Sequence, residues 1–184
     1  LNYFAIKGGY KMANHNNELV LENVRIVYPN FKGAPATIMI NGKNREVNTD
    51  GSRKFNVTLD PMVAQELLDQ GFNVKLPTEE NPNRAPYLPI VLSKGPNVQQ
   101  WVRIALVDNG NGRFLDITDP NQLAMLDDIT PGCRVNAVLS PYYWDVDGKS
   151  GITAYTKKLY IYLDDVDPEL APSKLGFEKD INFL

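Results

Sequence analysis

Apolar and polar residues alternate along much of this chain with a period of two, the mark of strands that bury one face. Residues 19–28 (LVLENVRIVY) read as a first strand, with Val24, Ile26 and Tyr28 on one face and Arg25 and Val27 on the other. Residues 37–48 read as a short hairpin turning at Asn41-Gly42, and Asp50-Gly51 is a further turn signal. Residues 53–60 (RKFNVTLD) give a clear second strand, with Phe55, Val57 and Leu59 inward and Lys54, Asn56 and Thr58 outward. Strands follow at 72–76, 87–92 and 98–107, the last with Val102, Ile104 and Leu106 inward and Trp101 and Arg103 outward. Two short helices interrupt the strands. Asp60 caps one, with Pro61 at its first position, Met62, Val63, Leu67 and Leu68 as its apolar stripe and Gly71 just beyond its end. Asp119 caps the other, which runs to Asp128 with Pro120 at its start. Residues 29–35, 77–86 and 108–113 read as loops.

The richest stretch is residues 140–163, SPYYWDVDGKSGITAYTKKLYIYL, two strands joined at Asp147-Gly148. Leu159, Ile161 and Leu163 share a face there, and Lys158, Tyr160 and Tyr162 share the other. In the preceding strand Val135, Ala137 and Leu139 alternate with Asn136, Ser140 and Tyr142. One surface is aliphatic; the other is aromatic, amide and cationic. Solvated tyrosines on an ordinary amphipathic hairpin would look the same, so this hairpin alone leaves both readings open.

Five or six strands and two short helices in 184 residues, with 13 Gly and 13 Pro, indicate an all-β domain with many turns. A small five-stranded barrel of the OB type with extended loops accommodates the pattern, as would a sandwich. No run approaches the ~20 apolar residues of a membrane-spanning helix. A single cysteine, Cys133, excludes an internal disulfide and fits a reducing compartment. The net charge of −3 is unevenly spread. From Asp164 onward six acids face two lysines, a net of −4, which leaves 17 basic and 16 acidic groups, a net of +1, on residues 1–163. Any nucleic-acid binding by that body must therefore rest on local patches and stacking rather than bulk charge.

Enzyme chemistry lacks its parts. The chain has no GxSxG, no P-loop and no Cys/His cluster, and its one histidine, His15, lies in a polar N-terminal segment. Asp145-x-Asp147-Gly148 superficially resembles the start of a calcium loop but lacks the later ligands, and a hairpin turn explains it better. Asp50, Asp60, Asp116 and Asp119 are turn or cap residues rather than metal ligands. The expectation is a protein that is not an enzyme and needs no metal or cofactor. Outward aromatics and cations give the positive reading, since bases stack on aromatic rings whatever their sequence and basic side chains neutralise phosphates. Lys54, Trp101, Arg103, Tyr142, Lys158, Tyr160 and Tyr162 are expected on one sheet surface, with Trp144, Tyr155 and Lys157 in the same hairpin and Arg53, Lys75, Arg84 and Lys149 near the rim. Trp101 and Trp144 could equally plug the barrel ends.

The order KFNVTLD, helix, QGFNVKLP, LSPYYWDVDGKSGITAYTKKLYIYL, acidic tail resembles bacteriophage single-stranded-DNA-binding (helix-destabilising) proteins. PYYWDVDGKSGITAYTKKLY is the most specific piece, and the resemblance runs from about Leu19 to the C-terminus. It departs at Thr156, where an aliphatic residue is expected, and across residues 83–113. The resemblance implies an OB fold and sequence-independent ssDNA binding in phage replication, recombination and repair, in the cytoplasm of a host cell and away from membranes. The acidic tail ends in an apolar tip, so Asp180, Ile181, Phe183 and Leu184 are expected to recruit a polymerase, primase, helicase or recombinase. A second copy of the chain is a further candidate partner. Two other classes stay open on residues alone, a β-barrel protein-interaction module and a single-stranded RNA-binding protein. The domain organisation expected is a disordered arm over 1–18, a binding domain over 19–163 and a disordered acidic tail over 164–184. Lys7-Gly8-Gly9-Tyr10-Lys11 is what a ribosome-binding site would give if translated, which points to Met12 as the natural start.

Overall fold

Five inward-facing rows of aliphatic side chains close on one another to form a barrel. The computed structural model describes residues 5–6, 10–13, 18–108 and 113–163. Its strands are β1 (Ala5–Ile6), β2 (Tyr10–Ala13), β3 (Glu18–Asn30), β4 (Ala36–Ile40), β5 (Lys43–Val47), β6 (Arg53–Thr58), β7 (Tyr87–Ser93), β8 (Arg103–Asp108), β9 (Arg113–Asp116), β10 (Arg134–Val146) and β11 (Lys149–Tyr162). The helices are α1 (Pro61–Asp69), between β6 and β7, and α2 (Pro120–Ile129), between β9 and β10. Strand β3 pairs with β6, β6 with β7, β7 with β11, β11 with β10, and β10 back with β3. Only the β7–β11 contact in that ring is parallel. This is the OB barrel, with β3, β6, β7, β10 and β11 as its first to fifth strands.

The interior is mostly aliphatic. Leu19, Leu21, Ile26, Val57, Ile90, Leu139 and Leu159 are wholly buried, and the buried rings of Phe31 and Phe55 stack at 5.4 Å. Both helices open as their caps predict, with the Asp60 carboxylate accepting from Met62 N at 2.8 Å and that of Asp119 from Asn121 N at 2.6 Å. Asp127 on α2 accepts from the backbone N–H groups of Phe31 and Lys32, tying α2 to the end of β3.

Strand β11 changes neighbours halfway along. Ala154 and Tyr155 pair with β7, whereas Lys158 to Tyr162 pair with β8. At the changeover Lys157 has no partner on β10, because Leu139 pairs with Thr156 and Val138 with Lys158. One extra residue resets the alternation. Ile152, Ala154 and Thr156 therefore point inward before the bulge, and Leu159 and Ile161 after it. The unexpected Thr156 has its reason here, since its buried hydroxyl donates to the Val91 carbonyl at 3.2 Å where β7 leaves off.

Several expectations need correction. Tyr28, expected on the face of Val24 and Ile26, is 62% exposed, because β3 is irregular between Val27 and Asn30 and Tyr28 adopts φ +48°. The Asn56 side-chain amide holds that bulge by donating to the carbonyls of Val27 and Tyr28, and Phe31 fills the interior. The strand expected over 98–107 begins only at Arg103, and β9 is a strand that was not anticipated. Residues 72–76 make isolated bridges, Phe72 to Ile152 and Lys75 to Tyr87, rather than a strand. Met62, placed in the apolar stripe of α1, is 70% exposed. Within the arm expected to be disordered, β2 pairs with β3.

Candidate nucleic-acid interface

Register across the barrel wall decides which outward side chains meet, because directly paired residues share a face. Lys54 on β6 pairs with Val91 on β7, Val91 with Tyr155 on β11, and Tyr155 with Ser140 on β10. One step along, Asn56 pairs with Pro89, and Thr153 with Tyr142. A further step brings Thr58 beside Tyr87, Tyr87 beside Lys75, and Gly151 beside Trp144. The outer wall thus carries tyrosines and lysines in rows that cross four strands.

The rings on this wall are held but open. Tyr142 is 57% exposed and meets Tyr155 edge-on, with centroids 5.9 Å apart. Trp144 lies against Gly151, where a Cβ would come within 2.8 Å of its indole, so only glycine admits this packing. The β10–β11 hairpin that carries these rings turns at Asp147 and Gly148, both at positive φ, as the Asp-Gly signal predicts. Lys149 lies exposed beside that turn. Lys75 reaches Asn73 Oδ1 at 2.7 Å next to Tyr87. Lys157 faces the same side but is committed to an ion pair with Glu18.

A second patch lies past the bulge. Arg103 binds Asp116 at 2.8 Å and sits over the Tyr160 ring at 5.8 Å, while Arg134 sits over Tyr162 at 5.5 Å. The Asp116 carboxylate, by hydrogen bond and charge, pushes the Arg103 pKa above its ordinary value. Asn136 Nδ2 donates to the Tyr162 hydroxyl at 2.9 Å. Guanidinium groups therefore occupy the neighbourhood of both rings, while Lys158 stays exposed. Trp101 is 60% exposed in the turn leading into β8 and plugs no barrel end.

The outward residues thus fall into two groups along β11, one where it pairs with β7 and one where it pairs with β8. Arg53 belongs to neither. It is 8% exposed, donates through Nε to the Pro96 carbonyl at 3.0 Å and through a guanidinium nitrogen to the Phe31 carbonyl, and holds loops together rather than lining a rim. It shares the inward parity of Phe55 and Val57, so strand alternation buries it, and only its charge suggested a rim position. Asp50 is a turn residue whose carboxylate accepts from the Ser52 hydroxyl and backbone N–H, which lower its pKa. Asp180, Ile181, Phe183 and Leu184 lie outside the described residues.

Sequence reasoning missed Tyr28, Tyr87 and Tyr143 as surface aromatics. Tyr143 is 62% exposed on the opposite side of the hairpin from Tyr142. Tyr87 meets Tyr28 edge-on at 5.8 Å and carries the Arg84 guanidinium at 5.1 Å. The alternation of Tyr87, Pro89 and Val91 with the aliphatic Leu88, Ile90 and Leu92 was the available signal. Between β3 and β6 the β4–β5 hairpin projects, with Ile38 and Met39 43% and 73% exposed. Its stem is fixed by Asn48, whose amide donates to the carbonyls of Ala34 and Ser52, and by Gly33, where a Cβ would strike Gly51 O at 2.4 Å.

A closed OB barrel whose wall presents open aromatic rings and exposed lysines defines a nucleic-acid-binding protein of the OB class. A family model described as a putative phage ssDNA-binding domain matches residues 10–174, and the chain belongs to that family. No curated protein matches the sequence. Among solved structures, the single-stranded DNA-binding protein from bacteriophage Enc34, as a C-terminal truncation, superposes with a TM-score of 0.54 at 13% identity. That match covers 90% of this chain and 95% of the other. The Enc34 protein in complex with ssDNA gives a TM-score of 0.53 at 12% identity, over 88% of this chain and 94% of that one. The shared fold is the OB barrel. Among the described residues no helix is long and apolar enough to cross a membrane, and no group of His, Cys, Asp or Glu could hold a metal ion.

Proposed function

We propose that the outer wall of β6, β7, β11 and β10 is where this protein lays single-stranded DNA, without regard to sequence. The observation that carries the reading is the set of cross-strand rows that puts Lys54, Tyr155, Tyr142, Trp144, Lys75 and Tyr87 on one surface. Open rings accept any base by stacking, and exposed lysines meet phosphates without choosing among bases. The position supports it too, because OB barrels bind oligonucleotides on the face of their second and third strands, here β6 and β7. The Enc34 protein, which shares the fold, is known in complex with ssDNA. In this reading the second patch, with Trp101, Arg103, Lys158, Tyr160 and Tyr162, extends the path along β11 and makes weaker contacts. Residues 19–163 form the binding unit, and residues 164–184 recruit a replication or recombination enzyme through their apolar tip. The protein acts as a coat on exposed strands in the host cytoplasm and performs no catalysis.

Titration with poly(dT) at two salt concentrations, followed by tryptophan fluorescence, tests the reading. Trp144 emission should be quenched, and log K should fall against log salt by about 0.7 for each phosphate neutralised. Equal affinity for duplex DNA, or tighter binding of poly(U) than poly(dT), would reject ssDNA as the ligand.

A further inference from the structure

We infer that the cleft between Tyr28 and the 80–84 loop is a pocket for a single nucleobase turned out of the bound strand. The inference rests on the ssDNA reading above and adds a site at the far end of the β7 row. Tyr28 holds a left-handed backbone conformation, φ +48°, that bulky residues rarely adopt, and it does so to present a ring that is 62% exposed. The bulge that imposes this conformation brings Phe31 into the core, and its outward product is a large ring left open to solvent.

The ring is also firmly aimed. Asn56 holds the Tyr28 carbonyl at 3.1 Å, and Tyr87 abuts the ring edge-on at 68°. Behind Tyr87 stands Arg84, whose guanidinium donates to the Leu76 carbonyl at 2.6 Å. Beside this series opens a cleft of about 440 Å³ lined by Tyr28, Glu80, Asn81, Pro82, Asn83 and Arg84.

The rim selects a base over a phosphate. Arg84 is its one cation, and it is already engaged by Leu76 and Tyr87. Glu80 repels phosphate, whereas the amides of Asn81 and Asn83 carry both donors and acceptors for a base edge. The Arg84 Nε is the one buried side-chain nitrogen among the described residues that lacks a hydrogen-bond partner. A base carbonyl entering the cleft would bring an acceptor to that wall, where a small shift of the guanidinium could meet it.

Two variants of the full chain, Tyr28→Gly and Asn83→Ala, should be titrated with a dT oligonucleotide and with an abasic oligonucleotide of equal length. Glycine tolerates positive φ, so Tyr28→Gly should melt no lower than the parent. Both variants should bind dT more weakly, Tyr28→Gly roughly tenfold, with the salt slope unchanged. Neither should alter binding of the abasic strand. If Tyr28→Gly weakens dT binding but Asn83→Ala does not, Tyr28 is part of the open stacking surface and the pocket is overturned. Equal losses on dT and abasic strands would overturn it as well, since the cleft would then be sensing phosphate. If the parent itself fails to bind dT, the ssDNA reading falls and the pocket with it.

Discussion

Tyr142 and Tyr160 have the same chemistry and alternate outward in the same hairpin, yet they should not contribute equally. Tyr142 makes one edge-to-face contact with Tyr155 and is 57% exposed, whereas Tyr160 lies under Arg103 and Tyr162 under Arg134. A base must displace those guanidiniums, which are themselves held by contacts such as Arg103 with Asp116. Tyr142→Ala should therefore weaken poly(dT) binding by ~1–3 kcal/mol. Tyr160→Ala and Tyr162→Ala should cost clearly less, and equilibrium titration of the three side by side tells whether they do. Arg53 makes the complementary case. Removing its side chain strands the carbonyls of Phe31 and Pro96 inside the fold. Arg53→Ala should lower stability in urea denaturation by about 1–3 kcal/mol. The salt slope of DNA binding should not move, which a rim cation could not match.

At the scale of elements, the β4–β5 hairpin is the clearest case of structure without a folding reason. It is a two-stranded sheet whose side chains are largely exposed, and isolated hairpins of that kind are marginal in water. Ile38 pairs with Arg45, so an apolar and a cationic residue share a face beside the entrance to the Lys54 row. Replacing residues 37–46 with a short Gly-Ser turn should leave the melting temperature within a few degrees of the parent. It should weaken ssDNA binding several-fold and reduce the salt slope, because Lys43 and Arg45 leave with it. A large fall in melting temperature would mean that the hairpin belongs to the fold instead. The bulge at Lys157 is the opposite kind of element. It decides which side chains face outward, since it places both Lys157 and Lys158 outside the barrel.

Across the whole molecule, charge is divided between a body of net +1 and a C-terminal segment of net −4. A tethered anionic segment is expected to compete with DNA for the lysine rows at a high effective concentration. That competition weakens as the Debye length falls from ~10 Å at 0.1 M salt to ~3 Å at 1 M. Truncation after Leu163 should tighten ssDNA binding at low salt, leave it unchanged at high salt and abolish capture of the recruited enzyme. Identical binding curves for the truncated and full chains at every salt concentration would limit the tail to recruitment.

Alternation of side chains fixed much of this protein in advance. The inward rows of β6, β10 and the second half of β11 follow directly from period-two patterning, as do both helix starts from Asp-Pro and the two hairpin turns from Asn-Gly and Asp-Gly. These are local matters, settled by steric preference and by which residues can share a face. The inventory of aromatics and lysines in residues 140–163 likewise pointed to nucleic acid before any fold was known. Ring closure, however, is set by pairings between residues more than a hundred positions apart, such as Val24 with Val135. Patterning could not distinguish it from a sandwich. Irregular register was equally hidden, because a bulge costs one residue and leaves the composition of a strand unchanged. Tyr28 turns away from the face of Val24 and Ile26 for that reason, whereas Arg53 keeps the inward parity of Phe55 and only its charge suggested a rim. Only the folded barrel, where β11 passes from β7 to β8, determines which rings stay open and which are covered by arginine.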